Sequence, residues 1–298
     1  MFLEGDMNRI LHGLLLTMAI ALALPAAAGE AMGTDQQTRL IARQGALAHR
    51  LVRGMCFIRS GIALAQNERV VQETLAEMDR GFAALYDGDA ALGVPPPDAT
   101  MRGRLDRANA LRTRLTDPAQ ALLAGDEVTT ETLVTLSARA AALETLWHDL
   151  HEAIEQAHRT AGAGEEVLRG QVIATAGAQS RLLQAAGSSA CLVDLAGGRE
   201  AAPREADRLA KAIDTFDRNV FALTFLRPAA APEMPNSPEL ETAATAVWID
   251  WNGQRPLFTA LASPDATAET RRVLEDMSYG IEFLDRELED TLAIFMRL

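Results

Sequence analysis

The feature that most constrains the fold of this chain is an internal repeat. The segment RQGALAHRLVRGMC at 43–56 aligns without a gap on AQSRLLQAAGSSAC at 178–191, so that glutamine, leucine and cysteine recur at the same places. After an insertion of three residues, MDRGFAAL at 78–85 falls on FDRNVFAL at 216–223. Two matching stretches with one short insertion between them indicate a tandem duplication. The sequence therefore predicts two copies of one structural unit.

Each copy contains four long segments in which apolar residues recur at helical spacing, separated by turn-forming residues. The predicted helices span about 35–65, 67–86, 100–124 and 127–160 in the first copy, and about 164–196, 201–226, 237–262 and 265–296 in the second. Only 5% of the residues are aromatic, which favours helices over sheets. We expect an all-α protein made of two tandem antiparallel four-helix bundles, the first covering 29–162 and the second 163–298.

The first 28 residues have the features of a cleaved secretory signal peptide. Arg9 precedes an apolar run at 14–24, and three alanines at 26–28 offer a cleavage site. The run has 11 residues, fewer than the roughly 20 that a membrane-spanning helix needs, and no later stretch is long and apolar enough to span. We therefore expect residues 1–28 to be removed and the mature chain to be a soluble periplasmic protein without a membrane span.

The net charge limits the possible partners. The chain carries a formal charge of −13 at pH 7, whereas nucleic acids and anionic membrane surfaces are bound by basic proteins. The sequence also shows no glycine-rich phosphate loop and no recognisable arrangement of nucleophile, histidine and acid. We predict neither nucleic-acid binding nor enzyme activity, and no cofactor.

Two motifs resemble those of a known family. ARQGALAHRLVRGMCF at 42–57 and FAALYDGDAALGVPPP at 82–97 resemble the N-terminal domain of type IV pilus methyl-accepting chemotaxis transducers. That domain is similar to the periplasmic sensor of nitrate-responsive histidine kinases, a four-helix bundle whose first helix carries an anion-contacting arginine. The resemblance covers nearly the whole mature chain as two copies. It implies a sensor-like protein that binds a small ligand.

The first helix carries the residues that match the family motif. Arg43, Gln44 and Arg50 fit it, and Arg53 stands where the family pattern has lysine. Arg43 and Arg50 are seven residues apart, which places them within about 20° of each other on one helix face. These four residues are our candidate site for a small anion or a short carboxylate, which arginines bind through charge-assisted hydrogen bonds. The alternative is that they pair with carboxylates of the same chain.

The only two cysteines, Cys56 and Cys191, occupy equivalent places in the two copies. Disulfides persist in exported proteins. A pseudo-twofold packing of the halves could bring the two together as a disulfide, whereas bundles placed side by side would hold their Cα atoms beyond the roughly 7 Å limit. In that second arrangement they would be two small, buried apolar residues.

A strip of histidines and an acid lies on one face of the fourth predicted helix. His148, His151, Glu155 and His158 recur at spacings of three, four and three residues. Imidazole and carboxylate groups on one face could hold a transition metal. Acidic neighbours make an ordinary exposed polar face an equally natural interpretation, and both interpretations stay open.

Together these patterns predict an exported sensor-like protein that binds a small anionic ligand or a membrane-bound signalling partner. No kinase or methylation region is recognisable, so we expect a signal to pass by contact. Two alternatives stay open: a non-catalytic helical scaffold or adaptor, and a metal- or redox-binding periplasmic protein.

Overall fold

The computed structural model describes residues 35–161, 164–226, 237–262 and 270–298, which are helical apart from the connecting turns and contain no β-strand. This confirms the prediction of an all-α protein for the described residues. The helices are α1 (35–59), α2 (Leu64–Asp87), α3 (Ala99–Leu123), α4 (Thr130–Ala161), α5 (Gly164–Leu195), α6 (Pro203–Phe221), α7 (Pro238–Ala262) and α8 (Thr270–Arg297), and a π-helical turn, Ala222–Leu226, continues α6. The predicted signal peptide lies outside the described residues. Within those ranges, no helix has both the length and the apolar character needed to cross a membrane.

The break between α1 and α2 falls earlier than the sequence pattern predicted. α1 ends at residue 59, and the following turn holds Gly61 at φ 68° and Ala63 at φ 41°. Asn67, the first residue of the second predicted helix, is buried inside α2 and donates a side-chain hydrogen bond to the carbonyl of Ile62 at 2.9 Å. The side-chain amide of Asn67 pairs with a carbonyl of the preceding turn, while its own backbone is helical.

α1 is buried on nearly all sides along residues 44–57. Leu47, Leu51 and Met55 are fully buried, and so is the charged residue Arg53. A buried charge is costly unless an opposite charge or a hydrogen-bond partner compensates it. The neighbours of α1 must therefore supply carboxylates.

α1 and α5 run parallel and in register. Cys56 and Cys191 form a disulfide with a Cα–Cα distance of 6.2 Å. Further along the same helices, a Cβ atom added to Gly177 would lie 2.6 Å from the Cβ of Ala42, so the backbones approach closely there. Both pairs join positions that the repeat alignment makes equivalent. The first helix of each half therefore contacts its own counterpart.

The remaining helices pack around this central pair. In the second half α5 contacts α6 and α8, and α7 contacts both α6 and α8. In the first half α3 contacts α2 and α4, and α4 also contacts α5 across the halves. One continuous hydrophobic cluster includes residues from all eight helices, and a small second cluster lies between α5, α7 and α8. The two halves therefore share one core.

The repeat extends to the last helix of each half. Leu143 and Leu150 of α4 are buried, and so are Ile281 and Leu288, which follow them by 138 positions in α8. This is the same offset that aligns the second helices of the two copies. α4 and α8 therefore present corresponding faces to the central pair.

Candidate functional site

Arg43, the first of the four predicted site residues, is held by acidic side chains. Its Nε donates to Glu77 Oε1 of α2 at 2.7 Å, and its Nη1 donates to Asp285 Oδ2 of α8 at 2.9 Å. Nη1 also lies 3.5 Å from Glu289 Oε1 and 3.3 Å from Ser180 Oγ of α5. Burial lowers the pKa of Arg43, but Asp285, with Glu77 and Glu289, outweighs this and raises the pKa well above its ordinary value. The guanidinium is therefore charged and fully engaged.

Arg50 and Arg53 share one carboxylate, that of Glu282 in α8. Arg50 donates to it through Nη2 at 2.5 Å, and Arg53 donates through its own Nη2. Arg53 also lies over the ring of Phe57, with 5.8 Å from Cζ to the ring centroid. Burial raises the pKa of Glu282, but the two arginines prevail and lower it to about 2. The carboxylate is ionised at any physiological pH.

These pairings match the alternative that the sequence left open, ion pairing within the chain. The structure brings Arg43, Arg50 and Arg53 together between α1, α2 and α8, but with carboxylates around them. An anion would have to displace a carboxylate, because like charges in a buried site repel strongly. Gln44 is buried elsewhere on α1, where its amide fills the space beside Gly81 of α2.

A cleft of about 570 Å³ opens on another side of α1. Its walls come from the N-terminal half of α1, from α4, from α5 and from the end of α6 with the π-helical turn. Ile41, Gly45, Trp147 and Ala178 form its apolar part. A volume of this size is typical of small-molecule sites, which hold roughly 300–1,000 Å³.

A group of three interacting side chains borders the cleft. Glu144 of α4 pairs with Arg181 of α5, and its Oε2 lies 2.9 Å from Nε2 of His49 in α1. Burial lowers the pKa of His49 to about 4, with the charges of Arg181 and Arg208 acting in the same direction. The neutral imidazole therefore donates its Nε2 proton to Glu144. The group ties α1, α4 and α5 together at the cleft.

The predicted histidine strip forms the α4 wall of the cleft. His148 is mostly exposed and lies 3.3 Å from Glu152, while His151 and Glu155 are mostly buried and 4.0 Å apart. The side chain of His158 lies outside the described part of the chain. Among the described residues, no three His, Cys, Asp or Glu side chains are placed to hold a metal ion. The described members of the strip line the cleft with polar groups.

Two buried nitrogens in the cleft lining have no hydrogen-bond partner among the described residues: Nε1 of Trp147 and Nδ1 of His151. Both atoms have almost no exposed area, so they lie beneath the surface of the cleft. Sequence reasoning did not identify the cleft. The signal that could have revealed it is Ala178, which stands in the second copy where the first has Arg43.

Comparison with protein-family models, with curated proteins and with solved structures gives no match for this chain.

Proposed function

We propose that the protein is an exported, non-catalytic, sensor-like protein built as two tandem antiparallel four-helix bundles, which binds a small organic molecule in the cleft between α1, α4 and α5. The observation that carries this proposal is the cleft itself, with its drug-sized volume and its apolar part. The motifs that resemble the type IV pilus transducer domain supply the sensor role. A site at the arginines has less support, because carboxylates already fill it.

The position of the cleft suggests how binding would be transmitted. Cys56 and Cys191 tie the two central helices together, while the cleft touches α1 at Gly45 and further toward its N-terminus. Eleven residues separate Gly45 from Cys56, a rise of about 16 Å along the helix. A ligand would therefore change the separation of α1 and α5 at one end while the disulfide holds the other. A membrane-bound partner would read that change by contact, since packed helices switch between discrete arrangements.

A thermal-shift screen of the mature protein against a chemically mixed panel of small organic compounds tests this proposal. At 100 times the dissociation constant, a ligand adds about 2.7 kcal/mol, which raises the melting temperature by roughly 5 °C or more for a chain of this size. Ala178→Leu adds a larger side chain inside the cleft and should reduce the shift. Ala65→Leu, at an exposed site on α2, is the matched control and should keep it.

If no compound shifts the melting temperature, or if Ala178→Leu leaves the shift as large as in the wild type, ligand binding in the cleft is ruled out. A helical scaffold or adaptor is then the better explanation, and it predicts recovery of a protein complex from cells.

A further inference from the structure

The cleft lies where the other half of the molecule holds a buried arginine. Arg43 of α1 crosses to α5, where Ser180 accepts a hydrogen bond from it at 3.3 Å. The positions equivalent to this pair are Ala178 and Gly45, and both line the cleft. Ala178 stands where the first half has Arg43, and Gly45 stands where the second half has Ser180. These smaller residues leave space in the cleft that the larger side chains would occupy. The cleft therefore includes the space that corresponds to the Arg43 side chain of the first half.

The partners on the last helix of each half correspond in the same way. Asp285 and Glu289 of α8 accept hydrogen bonds from Arg43. The residues 138 positions before them are Trp147 and His151 of α4, and both line the cleft. The space that corresponds to the guanidinium thus faces an indole ring and an imidazole instead of two carboxylates.

The charged groups of the cleft favour a positive ligand. Its lining carries Glu144, Glu152 and Glu155 against one cation, Arg181, which pairs with Glu144. Arg159, outside the lining, pairs with Glu155 at 2.6 Å, and a net negative charge remains. Burial lowers the pKa of His151, so this imidazole adds no charge near neutral pH. Trp147 borders the cleft but is only 2% exposed, so the carboxylates of α4 supply the attraction for a cation.

We propose that the cleft binds a small organic cation, an ammonium or guanidinium group carried on an apolar body; this inference rests on the ligand-binding function proposed above. The cationic group takes the place of the missing guanidinium, beside Trp147 and the glutamates of α4. The apolar body lies against Ile41, Gly45 and Ala178.

Isothermal titration calorimetry on the disulfide-bonded mature protein tests the charge preference. The probes are two matched series: 2-phenylethylammonium, 2-phenylethanol and phenylacetate, and hexylammonium, hexanol and hexanoate. Within a series that binds, the ammonium compound should bind at least about tenfold more tightly than the alcohol, and the carboxylate least tightly. Glu155→Gln should reduce the preference for ammonium over alcohol several-fold without changing the affinity for the alcohol.

Ala178→Arg restores the arginine of the first half and places its guanidinium where the ammonium group is proposed to bind, so ammonium binding should be lost. Ala65→Arg adds the same charge at an exposed site and should bind like the wild type. Circular dichroism checks that both variants fold; if Ala178→Arg does not, Ala178→Leu replaces it and Glu155→Gln still reports the charge preference.

The cation assignment is overturned if an alcohol or a carboxylate binds as tightly as its ammonium partner. It is also overturned if Ala178→Arg binds the ammonium compound as tightly as the wild type does. In the first case the proposed ligand-binding function still stands, with a different ligand class. If none of the six compounds binds, the cation assignment fails, and the thermal-shift screen decides the function independently.

Discussion

Removing the carboxylate of Glu282 should destabilise the protein strongly, because this one group compensates two arginines. Arg53 has no measurable exposure, and its Nε and Nη1 have no other partner among the described residues. Glu282→Gln keeps the shape of the side chain but leaves a buried guanidinium without a counter-charge. Breaking a buried ion pair from one side typically costs about 3–5 kcal/mol.

The pKa of Glu282 gives an independent magnitude. Burial raises this pKa, but Arg53 and Arg50 together lower it from 4.5 to about 2. A carboxyl group whose pKa is lower in the folded state stabilises the fold above its unfolded pKa and loses that contribution as the pH falls toward its folded pKa. The lowering corresponds to about 3 kcal/mol at pH 7, in agreement with the cost of breaking the pair.

Urea unfolding followed by circular dichroism at 222 nm measures this effect. The difference between the wild type and Glu282→Gln should be about 3 kcal/mol at pH 7 and should shrink between pH 4.5 and about 2. The matched control is Glu289→Gln, which should cost under about 1 kcal/mol because Arg43 keeps Glu77 and Asp285. A loss for Glu282→Gln no larger than that of the control, or one independent of pH, would refute this account of the cluster.

Three further perturbations have expected outcomes. Burial and two nearby arginines lower the pKa of His49 from 6.5 to about 4, so the wild type should lose stability as the pH falls through that window; His49→Gln should flatten this part of the urea-midpoint profile. Reducing the disulfide between Cys56 and Cys191, which are 135 residues apart, should cost about 4 kcal/mol, measured as urea unfolding with and without reductant. Gly177→Ala should destabilise by about 1–3 kcal/mol by forcing α1 and α5 apart, whereas Gly253→Ala, with no atom within 4 Å, should stabilise by about 0.5–1 kcal/mol.

The helices were readable from the sequence because their apolar residues recur at the helical period. The ends of the helices were less so. Asn67 has the residue type of a turn, yet its side chain satisfies a carbonyl that only the folded chain brings within reach. Local propensity does not encode such a contact, so the break after α1 was misplaced.

The chemistry of the arginines could be predicted only as a pair of alternatives. Spacing within one helix places Arg43 and Arg50 on one face, but the carboxylate that holds Arg50 is 232 residues further along the chain. No pattern in one sequence identifies a partner at that distance. The cleft is harder to predict from the sequence, because it lies where Gly45 and Ala178 carry small side chains. These positions stand out only when the two halves are aligned and compared with Ser180 and Arg43.

The pairing of α1 with α5 has a consequence for stoichiometry. Two identical subunits related by a twofold axis must carry the same residue at equivalent places, so each would have the same site. Here both helices belong to one chain, and one carries Arg43 where the other carries Ala178. The first half fills its own cavity, while the second leaves it open. A molecule bound in the cleft would therefore saturate at one per chain with a simple hyperbolic isotherm, and titration would show no cooperativity between the halves.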